Sequence, residues 1–296
     1  MVTVIIPVFN RPQMLLRAVR SVLAQVEAEF ELIVVNDGST ESLKATKEIV
    51  LAAGHQWIDM PEQLGVSAAR NLGVAASSGD WIAFLDSDDE WKPAKLHSQL
   101  AFHQDHPEYQ IFQCQESWIR NGKPVNKKKI HIMPEGQAFV QSLELCCISP
   151  SSVIMKRELF ENTGGFDQKM PVCEDYDLWL RITKDFPVGL VRESLVIKYG
   201  GHSDQLSRSR PAIDRFRLYA LIKLLCFSEL LSEQFKLVLE KAKEKCLILL
   251  KGAVKRKSEQ VAVYRSILEM LENVYLPDSK GRLKESLPIL LQAFAE

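Results

Sequence analysis

Three carboxylates crowd into four residues at Asp86, Ser87, Asp88 and Asp89, at the end of the segment GDWIAFLDSDDEW (79–91). Like charges this close repel one another unless a cation sits among them. Hard carboxylate oxygens in this pattern suit Mg²⁺ or Mn²⁺ shared with the phosphates of a substrate. A plainer alternative is that the acids cap a helix opened by Trp91, Pro93 and Leu96, since Asp is a favoured N-cap residue. Asp37 offers a second chemical group: its carboxylate could accept hydrogen bonds from a nucleoside base or a ribose hydroxyl. An ordinary Asp-Gly turn explains that residue type equally well.

The elements that must position these acids follow from the apolar pattern. Trp81, Ile82, Ala83, Phe84 and Leu85 form a short apolar run, the signature of a strand buried on both faces. Residues 2–9 are a similar run closed by Pro7 and Asn10, and Pro12 then opens a helix with Met14, Leu15, Ala18, Val19, Val22 and Leu23 at helical spacing. Residues 32–35 read as a second buried strand, followed by a helix over about 40–53. A weaker strand near 56–58 leads to Gly65 and a helix over 67–76. Buried strands alternating with amphipathic helices predict a mostly parallel sheet with helices on both faces, an α/β fold. Ligands of such sheets bind beyond the carboxyl ends of the strands, where Asn10, Asp37 and the 86–89 acids all lie. No GxGxxG follows the first strand and no GxxxxGK[ST] occurs, which excludes the dinucleotide and P-loop readings.

At 296 residues the chain has ample length for a large core. Its net charge of −1 conceals an asymmetry, −5 over residues 1–210 and +4 from Pro211 onward. An acidic main part argues against nucleic acid as partner. Six cysteines without zinc spacing fit a reducing compartment, and the absence of a leader-like start points to a cytoplasmic protein.

Six segments in order, VIIPVFNR (4–11), VVNDGSTE (34–41), GVSAARNLG (65–73), FLDSDDEW (84–91), GGFD (164–167) and EDYDLWLR (174–181), resemble the motifs of family 2 glycosyltransferases with the GT-A fold, of the nucleotide-diphospho-sugar transferase superfamily. The resemblance covers roughly residues 1–207. It implies that Pro7, Val8, Phe9, Asn10, Arg11 and Asp37 line the pocket for base and ribose, with Arg70 beside the nucleotide. It implies that Asp86, Ser87 and Asp88 form the DxD segment, in which Asp86 and Asp88 hold the divalent metal and Asp88 binds it directly. Asp175 matches the general base, with Glu174 as the other candidate. His202 resembles a polar residue that some members fold over the diphosphate; a plain loop histidine is the alternative.

The expected activity is therefore inverting, metal-dependent transfer of a sugar from a nucleotide diphosphate, with UDP the expected nucleotide, to a hydroxyl of a saccharide or other acceptor. The expected setting is surface polysaccharide or other glycoconjugate synthesis, with Mn²⁺ or Mg²⁺ as cofactor. A catalytically silent nucleotide-sugar-binding protein and a nucleotidyltransferase are the alternatives from other classes. Intact acids weigh against the first, and the lack of a glycine-rich basic loop after the first strand against the second.

Between the motifs, 109–118 reads as a strand, 121–124 as a turn, 135–145 as a helix, 149–156 as a strand, and Lys127, Lys128 and Lys129 as a solvated face. From Pro211 the pattern turns helical over 216–231, 233–250, 258–276 and 284–294, a C-terminal extension of 211–296 to a catalytic domain of 1–210. Residues 241–257 hold seven basic side chains against Glu244 alone. Loose attachment to an anionic membrane surface is one expectation for such a helix. Docking or homodimerisation through Leu239, Cys246 and Leu249 is the favoured one, because the apolar side carries small residues and no aromatic anchor between Ala242 and Val254.

Overall fold

The computed structural model describes residues 1–126, 131–201, 213–276 and 279–292. His202, Lys127, Lys128, Lys129 and the expected boundary at 210/211 lie outside the described residues.

The strands β1 (Val2–Val8), β2 (Phe30–Asn36), β3 (Gln56–Asp59) and β4 (Trp81–Phe84) run parallel in the order β3-β2-β1-β4. The helices α1 (Pro12–Leu23), α2 (Lys44–Ala52) and α3 (Val66–Ala75) make the crossovers. Because side chains alternate along a strand, β1 feeds two cores. Val4, Ile6 and Val8 pack with Leu15, Val19 and Val22 of α1 on one face. Ile5 packs with Ala68, Ala69 and Val74 of α3 on the other. Pro7 fits in β1 because β4 pairs with it only up to Ile5, so the missing N–H points past the end of that neighbour.

After β4 the pairing becomes mixed. β8 (Ile154–Lys156) is antiparallel to β4 and to β6 (Ile111–Arg120), while β9 (Gly189–Gly200) lies parallel to β6 and antiparallel to β5 (Glu90–Trp91). β7 (Lys123–Val125) returns on β6 through Asn121-Gly122, both at positive φ, the pair a two-residue hairpin requires. The GT-A arrangement, a mostly parallel sheet between helices, is the one the motifs imply.

The structure removes one alternative and corrects one local expectation. The acids cap no helix: Glu90 and Trp91 extend as β5, and α4 (Lys95–Asp105) starts four residues later with Ala94 as its cap residue. The cause is Trp91, whose backbone N–H donates to Ser21 Oγ and whose indole N–H donates to the Ser151 carbonyl at 2.7 Å, drawing the ring into the core. The segment 149–156 starts as a 3-10 turn, Pro150–Ser152, before β8. Next come α5 (Phe139–Glu144), shorter than expected, α6 (Arg157–Thr163) and α7 (Glu174–Thr183).

The tail forms α8 (Asp214–Phe227), α9 (Ser232–Arg256), α10 (Gln260–Glu272) and α11 (Ser279–Gln292). Phe216, Leu218, Leu221, Val238 and Leu239 share one core with Phe139 and Leu143 of α5 and with Tyr176 and Leu180 of α7. The apolar side of α9 is thus covered by its own chain, and two of its lysines are drawn into ion pairs there. Lys241 lies 2.7 Å from Glu144, and Lys245 lies 3.2 Å from Asp214. No helix among the described residues is long and apolar enough to cross a membrane.

Candidate active site

The four residues after Leu85 form a tight turn in which the Asp86 carbonyl accepts the Asp89 N–H at 2.9 Å. This fold-back places one oxygen each of Asp86, Asp88 and Asp89 within 4.8 Å of one another. Ser151 ties the turn together, accepting the Asp86 N–H at 3.1 Å and donating to Asp89 Oδ2 at 2.6 Å. Lys198 of β9 supplies the counter-charge, 2.9 Å from Asp89 and 3.9 Å from Asp86, while also donating to Ser149 Oγ. Arg11 lies 3.1 Å from Asp88. Burial drives the Asp89 carboxyl up to about 7; Lys198 opposes this, and the charges of Asp88 and Asp86 add to it. Burial acts on Asp86 in the same sense, but Arg70, Lys198 and Arg11 outweigh it and hold that carboxyl below its ordinary range. An all-oxygen donor set with three converging carboxylates fits Mg²⁺ or Mn²⁺. Asp86 and Asp88 are part-exposed, whereas Asp89 is held from behind by Ser151 and Lys198. Ser87 is buried within the turn.

The end of β1 is lashed to the loop after β2. Asn10, in the left-handed region at φ 48, accepts the backbone N–H groups of Thr40 and Glu41 on Oδ1 at 2.8 and 3.0 Å. Pro7 and Val8 are buried in the strand, and Phe9 is half-buried beside Asn10. Asp37 anchors another loop: its two oxygens accept the N–H groups of Leu64 and Gly65, at 2.7 and 2.9 Å. Burial raises its carboxyl despite those bonds. Gly38 must be glycine, since a Cβ there would stand 2.5 Å from the Glu62 carbonyl carbon and its φ is +68.

Arg70, on α3, joins the two acidic groups. Its guanidinium donates to Asp86 Oδ1 and to Glu174 Oε1, each at 2.7 Å, and its own exposure is 3%. Glu174 is buried; burial and the adjacent Asp175 push its carboxyl up to about 7, against the pull of Arg70. Asp175, the first-turn neighbour on α7, is part-exposed and has no comparable tie to a cation in the described contacts. Oδ1 accepts the Tyr176 N–H at 2.7 Å, and Oδ2 accepts the Cys146 thiol at 3.2 Å. Glu174 is thus committed to Arg70, whereas Asp175 beside it is part-exposed. The structure brings Arg11, Arg70, Asp86, Asp88 and Glu174 into one network. Lys198 and Ser151 join it, and Cys146 reaches Asp175 next to Glu174, without any signal from motif spacing.

The family model for glycosyl transferase family 2 matches residues 3–164, more than half of the chain. The chain belongs to glycosyltransferase family 2. This family 2 glycosyltransferase is 29% identical over 222 residues to an uncharacterized glycosyltransferase of Rickettsia conorii, a match covering 70% of this chain and 35% of that one. It thus spans about a third of the length of that relative. It is 29% identical over 221 residues to the UDP-Glc:alpha-D-GlcNAc-diphosphoundecaprenol beta-1,3-glucosyltransferase WfgD of Escherichia coli, covering 73% of this chain and 81% of WfgD. Among solved structures it is similar to S. aureus TarS 1-349 in complex with UDP-GlcNAc, with a TM-score of 0.69 and 15% identity over 99% of this chain and 90% of that one. The last likeness shows the fold.

Proposed function

We propose that this family 2 member transfers a sugar from a nucleotide diphosphate to an acceptor hydroxyl with inversion, in the synthesis of a surface polysaccharide or other glycoconjugate. The observation that carries the reading is Arg70. One guanidinium holds Asp86, on the acid turn, and Glu174, next to Asp175, so donor-side and acceptor-side acids belong to one rigid constellation. UDP is the proposed nucleotide, supported by the names of WfgD and of the TarS complex.

In this reading the segment from Pro7 to Arg11 and Asp37 receive base and ribose. Asp86 and Asp88 would hold Mn²⁺ or Mg²⁺, a cation that supplies counter-charge to a diphosphate leaving group. Arg70 keeps Asp86 ionised and holds both Asp86 and Glu174 in place. Asp175 takes the acceptor proton on an oxygen lone pair left by its two fixed donors, a contribution of roughly 10²- to 10⁴-fold. The helices α8–α11 belong, in this reading, to a docked extension that supports α7 from behind, with Lys223 of α8 2.7 Å from Asp167 and 3.0 Å from Asp177.

The test is UDP release from UDP-glucose and UDP-N-acetylglucosamine, with and without Mn²⁺, over a panel of acceptors, followed by the anomeric configuration of any product. A retained configuration sinks the base assignment. No release from any nucleotide sugar sinks the transferase reading.

A further inference from the structure

Asp175 sits in a cage that its proposed role does not by itself explain. A general base must present one lone pair to the acceptor hydroxyl, yet an Asp carboxylate turns easily about its terminal torsion, whose preference is broad. Here each oxygen is gripped once. The Tyr176 N–H reaches Oδ1 from the first turn of α7, and the Cys146 thiol reaches Oδ2 from the loop after α5. The sulfur also lies 3.5 Å from the Ile148 carbonyl, so the thiol proton has two acceptors, one charged and one neutral. Each carboxylate oxygen keeps a second lone pair for the reaction.

Resting on the reading of Asp175 as the base, we propose that Cys146 is its positioning residue, a thiol donor that fixes the plane of the carboxylate toward the acceptor. A weak donor suits this task. A cation in the same place would stabilise the ionised carboxylate more strongly and so weaken it as a base, whereas a neutral thiol orients it at little loss of basicity. The surroundings keep the sulfur in its donor form. Burial, then the charge of Asp175, hold the Cys146 thiol well above its ordinary range. Cys147 and Cys173 stand nearby and are themselves pushed up by burial. Glu174 has its own cation in Arg70, and Arg217 and Asp214 of α8 pair with each other beside Cys173.

The experiment compares Cys146→Ala with Cys146→Ser in the full chain, using UDP-glucose and UDP-N-acetylglucosamine as probes and UDP release as the readout. Cys146→Ala is expected to lower kcat about tenfold with KM for the nucleotide sugar unchanged, since the lost interaction orients the base and touches no part of the donor. Cys146→Ser, which keeps a donor, is expected to recover to within about threefold of the parent. Equal losses in both variants, or a loss confined to KM, would overturn the proposal. Infrared spectroscopy of the sulfhydryl stretch tests it without turnover. The band that disappears in Cys146→Ser should move to higher frequency in Asp175→Asn, as a charged acceptor becomes neutral. An unmoved band overturns the proposal even if Cys146→Ala fails to fold. If Asp175→Asn keeps full activity, the base assignment fails instead, and the two failures are separate.

Discussion

Arg70 and Glu174 are 104 residues apart in the chain, and their side chains meet at 2.7 Å inside the protein. With Asp86 on the other arm of the same guanidinium, the planar fork serves two carboxylates that no point charge could serve at once. Arg70→Met leaves Glu174 without its cation and Asp86 with only Lys198 and Arg11 to balance it, and breaking a buried pair in this way costs about 3–5 kcal/mol. Urea denaturation midpoints measure the loss. Adding Glu174→Gln to Arg70→Met should restore part of it; a strictly additive second loss would show that the pair is not coupled.

Asp88→Asn removes one of three mutually repelling acids, so the fold should survive while Mn²⁺ binding weakens at least tenfold. Calorimetric titration of Mn²⁺, and of UDP with and without Mn²⁺, measures this. Unchanged Mn²⁺ affinity would remove Asp88 from the metal set.

Asp175→Asn should lower kcat by roughly 10²- to 10⁴-fold with donor affinity nearly intact, because the interaction lost exists chiefly in the transition state. Glu174→Gln is expected to act differently. It loosens Arg70 and therefore Asp86, so it should weaken donor binding as well as turnover. Steady-state kinetics of the two variants side by side distinguish these roles.

Lys95 is wholly buried, its Nζ 3.8 Å from the centre of the Trp91 ring and without a hydrogen-bond acceptor among the described residues. Burial lowers its ammonium to about 8 from 10.5. A lysine depressed in the fold costs stability in full below the folded value, and the cost is relieved as pH rises from about 8 toward 10.5. Lys95→Met should therefore stabilise the protein by on the order of 1–3 kcal/mol at neutral pH, the upper figure reduced by the lost cation–π contact. The gain should shrink between pH 8 and 10. Denaturation at neutral pH and at pH 10 measures it, and a destabilised variant would mean that the contact with Trp91 outweighs the burial cost.

Elements marked by local pattern were legible in the sequence, β6 and β8 of the mixed half among them, whereas β5 and β9 were not. β1, β2 and β4 announce themselves as apolar runs, and α1 as a clean helical stripe, because both signals are set by burial along a single element. β5 is two residues long and carries no period at all. β9 is longer, with Leu190, Val191, Leu195 and Val196 as its apolar core positions, but an interrupted register against β6 breaks the alternation that would mark it. The acids at 86–89 were legible for the same reason as the strands, as neighbours in sequence. Lys198, Ser151 and Cys146 reach the site only through pairings of the sheet and the loop after α5, so no spacing in the chain could have named them.

The dependence of the acid turn on β9 has a consequence for the order in which the protein is made. β1 to β4 can pair as soon as they leave the ribosome, but Asp89 meets Lys198 and the backbone N–H of Tyr199, the latter 110 residues further along. At ~5–20 residues per second that stretch takes roughly 5–20 seconds to synthesise. Throughout that interval the nascent chain carries three crowded carboxylates without the ammonium that balances them and without the strand that covers Trp91. A nascent chain halted before Gly189, where β9 begins, is therefore expected to have a formed parallel sheet, an open acid turn and no grip on a nucleotide sugar.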